Sequence, residues 1–184
     1  MPTPPNALSL GDTAPDYSLP GVDGRTVRLA DVSAPNGAVV MFICNHCPYV
    51  KAVVDRIVSD MAALHELGIG AVAISSNDAQ AYPEDGFEPM KAFAKQHGFG
   101  FPYLHDESQA VARAYGAVCT PDFFGFDSRQ RLVYRGRLDA SGRQAAAPGM
   151  KRELFEAMKA VAAGGAAPSE QLASIGCSIK WRAG

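Results

Sequence analysis

Apolar and polar positions divide the chain into short units. The run Ala38 to Ile43 is unbroken apolar, with the length and β-branched content of a strand buried on both faces. It ends in Cys44-Asn45-His46-Cys47-Pro48. Apolar residues then recur at Val50, Val53, Val54, Ile57, Val58, Met61 and Leu64, a helical stripe that closes at Gly68. Pro48 falls in the first turn of that helix, where its missing N–H costs little. Ile69 to Ile74 forms a second strand, left through Ser75-Ser76-Asn77-Asp78. Strand, helix and strand in this order predict a right-handed parallel unit.

Around this unit the pattern is weaker. Residues 1 to 15 hold four of the thirteen prolines and no period, which predicts an extended arm. Tyr17 to Leu29 alternates about the turn Gly21-Val22-Asp23-Gly24, as a hairpin does. Asp31 to Gly37 reads as a polar connection. Tyr82 to Pro89 is turn-rich, and Met90 to His97 predicts a short helix closed by Gly98. Phe101 to Leu104 predicts a strand and Ser108 to Tyr115 another helix. Val118-Cys119-Thr120-Pro121 leads into an antiparallel pair, Asp122–Phe126 and Leu132–Leu138, and a last helix is predicted over Met150–Ala162. Gly164 to Ser169 is flexible by composition, and the tail from 164 to 184 has no strong period. The expectation is one α/β domain over 1–184.

Composition narrows the chemistry. The 184 residues are 47% apolar and 20% charged, with a formal net charge of -2, so neither disorder nor a basic nucleic-acid surface is indicated. Partners should be small molecules or proteins. The N-terminus lacks a signal-peptide pattern and no apolar stretch reaches membrane-span length, so a cytoplasmic location with no membrane contact is expected. There thiols stay reduced, and four cysteines suggest catalysis or metal binding before a structural disulfide framework.

Two thiols separated by two residues at a helix start can close a small disulfide ring. Backbone N–H groups there stabilise a thiolate, which makes Cys44 the expected nucleophile and Cys47 the resolving thiol. His46, lying between them, should lower the Cys44 pKa further. A C-x-x-C is also half of a zinc site, but no second pair at finger spacing occurs.

The strand, C-x-x-C, helix order followed by Thr120-Pro121 resembles the thioredoxin superfamily. The stretches Gly11-Asp12-Thr13-Ala14-Pro15-Asp16-Tyr17 and Gly176-Cys177-Ser178-Ile179-Lys180-Trp181 are similar to the peroxiredoxin-like redoxin (AhpC/TSA-like) proteins. The resemblance implies a thioredoxin fold, a central mixed sheet flanked by helices, with an N-terminal hairpin and a peroxiredoxin-like insertion. It implies a cis peptide at Thr120-Pro121, with the Thr120 backbone edge open to a substrate disulfide. Cys44 would attack that disulfide and Cys47 would resolve the intermediate. Partners would be protein or small-molecule disulfides and thiols, with a thioredoxin or glutathione system resetting the pair. The chemistry requires no metal or organic cofactor, and pairing into a homodimer stays open.

Two departures from the resemblance matter. Ile43 and Ala38 stand where thioredoxin has an aromatic residue and a buried aspartate, so proton transfer would use water, His46 or another group. The peroxiredoxin pattern Pro-x-x-x-Thr/Ser-x-x-Cys, ended on Cys47, meets Val40 and Cys44, which makes direct peroxide reduction the less expected activity. A thiol peroxidase, with Arg113 or Arg137 assisting, is one alternative. A metal-binding module using Cys44, Cys47 and His46 is another.

Cys119 is expected to be a packing residue that could face the pair. Cys177 is a third redox partner if the tail folds back, and Trp181 a tail anchor. His65, His97 and His105 are expected at the surface or at helix ends. The doublets Glu84-Asp85 and Asp106-Glu107 are expected to be solvated.

Overall fold

In the computed structural model, which describes residues 7 to 184, two short strands come first: β1 (Ser18–Pro20) and β2 (Thr26–Arg28). They pair antiparallel, as the alternation predicts. A one-turn helix, α1 (Leu29–Val32), replaces part of the expected polar connection, because Leu29 and Val32 bury their side chains. Then follow β3 (Gly37–Phe42), α2 (Pro48–Glu66) and β4 (Ile69–Ser75).

After a 3-10 turn at Pro83–Asp85 come α3 (Phe87–Gln96), β5 (Tyr103–His105) and α4 (Ala110–Tyr115). The chain closes with β6 (Cys119–Thr120), β7 (Asp122–Phe126), β8 (Leu132–Gly136), α5 (Glu153–Ala162) and β9 (Cys177–Ser178). The Thr120–Pro121 peptide is cis.

The central sheet has the order β5-β4-β3-β7-β8. β3, β4 and β5 run parallel, and β7 and β8 complete it antiparallel. This is the mixed sheet of a thioredoxin fold. All six residues of β3 are buried, and their side chains alternate between two cores. Val39 and Met41 pack with α2, α3 and α5, whereas Val40 and Phe42 pack with α4, α1 and the N-terminal hairpin. Covering both faces accounts for the unbroken apolar run.

Two glycines fix where the βα unit turns. Gly68 ends α2 at φ +76°, in the left-handed region that suits glycine. A Cβ on Gly70 would lie 1.7 Å from the Val32 carbonyl oxygen, so β4 approaches α1 more closely than any side chain permits.

Residues 1 to 6 of the predicted arm lie outside the described residues. Beyond them, the Gly11 and Ala14 N–H groups donate to the Leu132 and Gln130 carbonyls at 2.8 Å each, which lays the arm along the start of β8. Among the described residues no helix is long and apolar enough to cross a membrane.

Candidate active site

β3 delivers the chain to Cys44, and Cys47 is the N-cap residue of α2, with Pro48 in the first turn. Both cysteines are free and fully buried. Thr120 joins them from across the site. Its hydroxyl lies 3.6 Å from the Cys44 sulfur, and its carbonyl accepts a hydrogen bond from the Cys47 thiol at 3.2 Å. The sequence signals separated by more than seventy residues therefore meet at one residue.

The intervening loop is held by a residue that sequence reasoning places in solvent. Asp85 is completely buried. One of its carboxylate oxygens accepts the Asn45 N–H at 2.8 Å and the His46 N–H at 3.3 Å. The other accepts the Asn77 side-chain amide at 2.9 Å and lies 2.5 Å from His46 Nδ1. Asn45 adds a bond to the Glu84 carbonyl at 3.1 Å and takes one from the Tyr103 hydroxyl at 2.8 Å.

The His46 ring stacks on Tyr82, 5.8 Å between centroids and with the two planes nearly parallel. Glu84 is exposed, as expected, but Asp85 is not, because the 82–89 segment folds over the β3–α2 loop, whose Asn45 and His46 N–H groups need an acceptor.

One donor atom from each of Cys44, His46 and Asp85 falls within 4.8 Å of the other two. Such a set has the size of a soft-metal site, with Asp85 rather than Cys47 as its third member. It has equally the composition of a thiol, a histidine and an orienting carboxylate.

Electrostatics divide the two thiols. Its hydrogen bond to Cys47, burial and the nearby Asp85 carboxylate push the Cys44 pKa far up. The same bond from Cys44, with help from Thr120 and the Val50 N–H, pulls the Cys47 pKa down. The shift on Cys44 runs opposite to the expected lowering, because burial and the Asp85 carboxylate disfavour charge on that sulfur.

Cys119 is buried, donates to the Pro121 carbonyl at 3.6 Å, and is pushed by burial up to about 12. Cys177 stands opposite Thr120 in the antiparallel β6–β9 pair, the same residue whose carbonyl accepts from Cys47. The Thr120 edge expected to stand open is thus occupied by the chain's own tail. Trp181 lies under the Arg113 guanidinium, 4.4 Å from its carbon, while Arg137 makes two bonds to Glu153. Both arginines are committed to structural partners.

His65 and His97 sit at helix ends as expected. His105 differs, lying half-buried on β5. Asp106 is also buried, with Oδ2 accepting the Ala112 N–H at 2.9 Å and the Ser76 hydroxyl at 2.8 Å, which anchors the start of α4.

The AhpC/TSA family profile matches residues 10–135. The chain belongs to the AhpC/TSA family. It is a peroxiredoxin-like member of the thioredoxin superfamily, a group of redox enzymes. Peroxiredoxin Bcp of Escherichia coli K12 is 27% identical over 140 residues, covering 75% of this chain and 83% of that protein. Thiol-disulfide oxidoreductase ResA of Geobacillus thermodenitrificans is 25% identical over 130 residues, covering 71% of this chain and 70% of that protein. A crystal structure of an uncharacterized conserved protein from Geobacillus kaustophilus superimposes with a TM-score of 0.91 at 47% identity. The match covers 96% of this chain and 94% of that one.

Proposed function

We propose that this protein is a thiol–disulfide oxidoreductase whose working pair is Cys44 and Cys47. The observation that carries the reading is the convergence of both sulfurs on Thr120: the Cys44 sulfur lies 3.6 Å from its hydroxyl, and the Cys47 thiol donates to its carbonyl at 3.2 Å.

In the reduced protein Cys44 gives its proton to His46 and attacks a substrate disulfide. One substrate sulfur stays bound to Cys44 and the other leaves as a thiolate. Cys47 then gives its proton to the departing substrate sulfur and attacks the Cys44 sulfur. The pair ends oxidised and the second substrate thiol is released. His46, oriented by Asp85, receives and returns protons beside Cys44. Substrates are protein or small-molecule disulfides, and an external thioredoxin or glutathione system resets the pair.

Single-cysteine variants test these roles. Cys47→Ser, mixed with a disulfide substrate, is expected to accumulate a mixed disulfide on Cys44, read by peptide mass spectrometry, and Cys44→Ser to lose substrate exchange. Retention of full exchange by Cys44→Ser would overturn the assignment of the attacking sulfur.

The family match favours a second reading, peroxide reduction. A thiolate of the pair takes one oxygen from peroxide to become a sulfenic acid, which the other thiol condenses to a disulfide with loss of water. Faster thiol loss with peroxide than with substrate disulfide would favour it.

A further inference from the structure

Of the four cysteines only Cys177 reaches solvent appreciably: Cys44 and Cys47 are 0% exposed and Cys119 is 6% exposed. The tail crosses the pair as a strap fastened on both sides. Before Cys177, the Ser174 hydroxyl lies 3.0 Å from Asp122 Oδ1 and 2.6 Å from the Gly136 carbonyl. After it, the Ile179 N–H donates to Val118 at 3.2 Å and the Lys180 N–H to the Asn77 side chain at 2.9 Å. The Asp78 N–H returns a bond to the Lys180 carbonyl at 2.8 Å.

Between these fastenings the strap lies tight on β6. A Cβ on Gly176 would stand 2.0 Å from the Thr120 carbonyl oxygen, so the close approach requires glycine. That carbonyl also accepts from Cys47, and Thr120 is the register partner of Cys177. Cys47 and Cys177 consequently meet at the same residue, Thr120.

We infer that Cys177 is a third redox thiol, which draws the disulfide from the buried pair to the surface, where an external thiol takes it over. The step rests on the Cys44–Cys47 chemistry proposed above. Starting from the oxidised pair, Cys177 loses its proton to solvent and attacks the Cys47 sulfur. The Cys44–Cys47 bond breaks, Cys47–Cys177 forms, and the electron pair leaves on Cys44, which takes a proton from His46. One disulfide is exchanged for another, so no oxidant or reductant is consumed. A thiol of glutathione type then attacks the Cys177 sulfur. The resulting mixed disulfide is cleared by a second such thiol, leaving the protein fully reduced.

The test is disulfide mapping of the full chain equilibrated with oxidised and reduced glutathione, using alkylation and peptide mass spectrometry. In Cys44→Ser the expected principal oxidised species is an intramolecular Cys47–Cys177 disulfide. In Cys177→Ser, with an unchanged circular dichroism spectrum, reduction of the Cys44–Cys47 disulfide by reduced glutathione is expected to slow at least about tenfold. Cys44→Ser that carries glutathione on Cys47, or a Cys47–Cys119 bond, with Cys177 free would overturn the inference. So would an unchanged or faster reduction of Cys177→Ser. Formation of Cys44–Cys47 in the wild type alongside either result leaves the proposed function standing, whereas its absence removes both.

Discussion

Asp122, two residues beyond Thr120, shows what burial does to a single carboxyl. It is 2% exposed, accepts the Val118 N–H at 3.3 Å, and has Arg135 only at 3.9 Å, so burial raises its pKa to about 6. The folded value exceeds the unfolded one, and the folded state therefore holds the proton more tightly. The stability that follows is fully present below the unfolded value near pH 4 and is lost as pH rises through about 6, on the order of 3 kcal/mol in all. Asp122→Asn should gain on the wild type between pH 4.5 and pH 7.5, measured as the difference in urea midpoint. A difference that does not change with pH would contradict this.

At the same scale, Cys44 and Cys47 are marked by their spacing at a strand–helix junction, and the cis Thr120–Pro121 peptide is marked by resemblance to the thioredoxin superfamily. Asp85 and Asp106 are not. Nothing around either residue distinguishes a solvated carboxylate from one that accepts buried N–H groups, and the loop satisfied by Asp85 lies 39 residues away at His46.

Among elements, the apolar run of β3 and the stripe of α2 predict the central βα unit to within a residue or two, since β3 is buried along its full length and α2 along one face. The shortest elements escape notice. β6 and β9 have two residues each, too few to show alternation, and exist through pairing with each other.

The 3-10 turn at Pro83–Asp85 clamps the β3–α2 loop through the Asp85 carboxylate. Asp85→Ala leaves the Asn45 and His46 N–H groups without that acceptor and is expected to cost about 3 kcal/mol or more in denaturant unfolding. Asp85→Asn keeps the shape and should restore part of that stability. Without the charge that orients His46, however, its disulfide exchange should run about tenfold slower or worse. Exchange at the wild-type rate in a folded Asp85→Asn would show that the pair works without an oriented histidine.

For the molecule as a whole, one sheet covered on both faces sets two distant sequence segments against each other. β3 and α2 carry the thiols, β6 carries Thr120, and the tail closes over both. The thioredoxin fold was legible from the order of its units, and the family match over residues 10–135 agrees with it. The position of the tail was not, because it is held by single backbone and side-chain bonds to Asn77, Gln109 and Val118 rather than by a periodic apolar face.

The most direct test is equilibrium oxidation of the wild-type chain across defined glutathione buffers, with the cysteines alkylated and mapped at each poise. A reversible two-electron transition of Cys44–Cys47 is expected, with its potential between roughly -270 and about -120 mV. Failure of that disulfide to form at any poise would contradict the account.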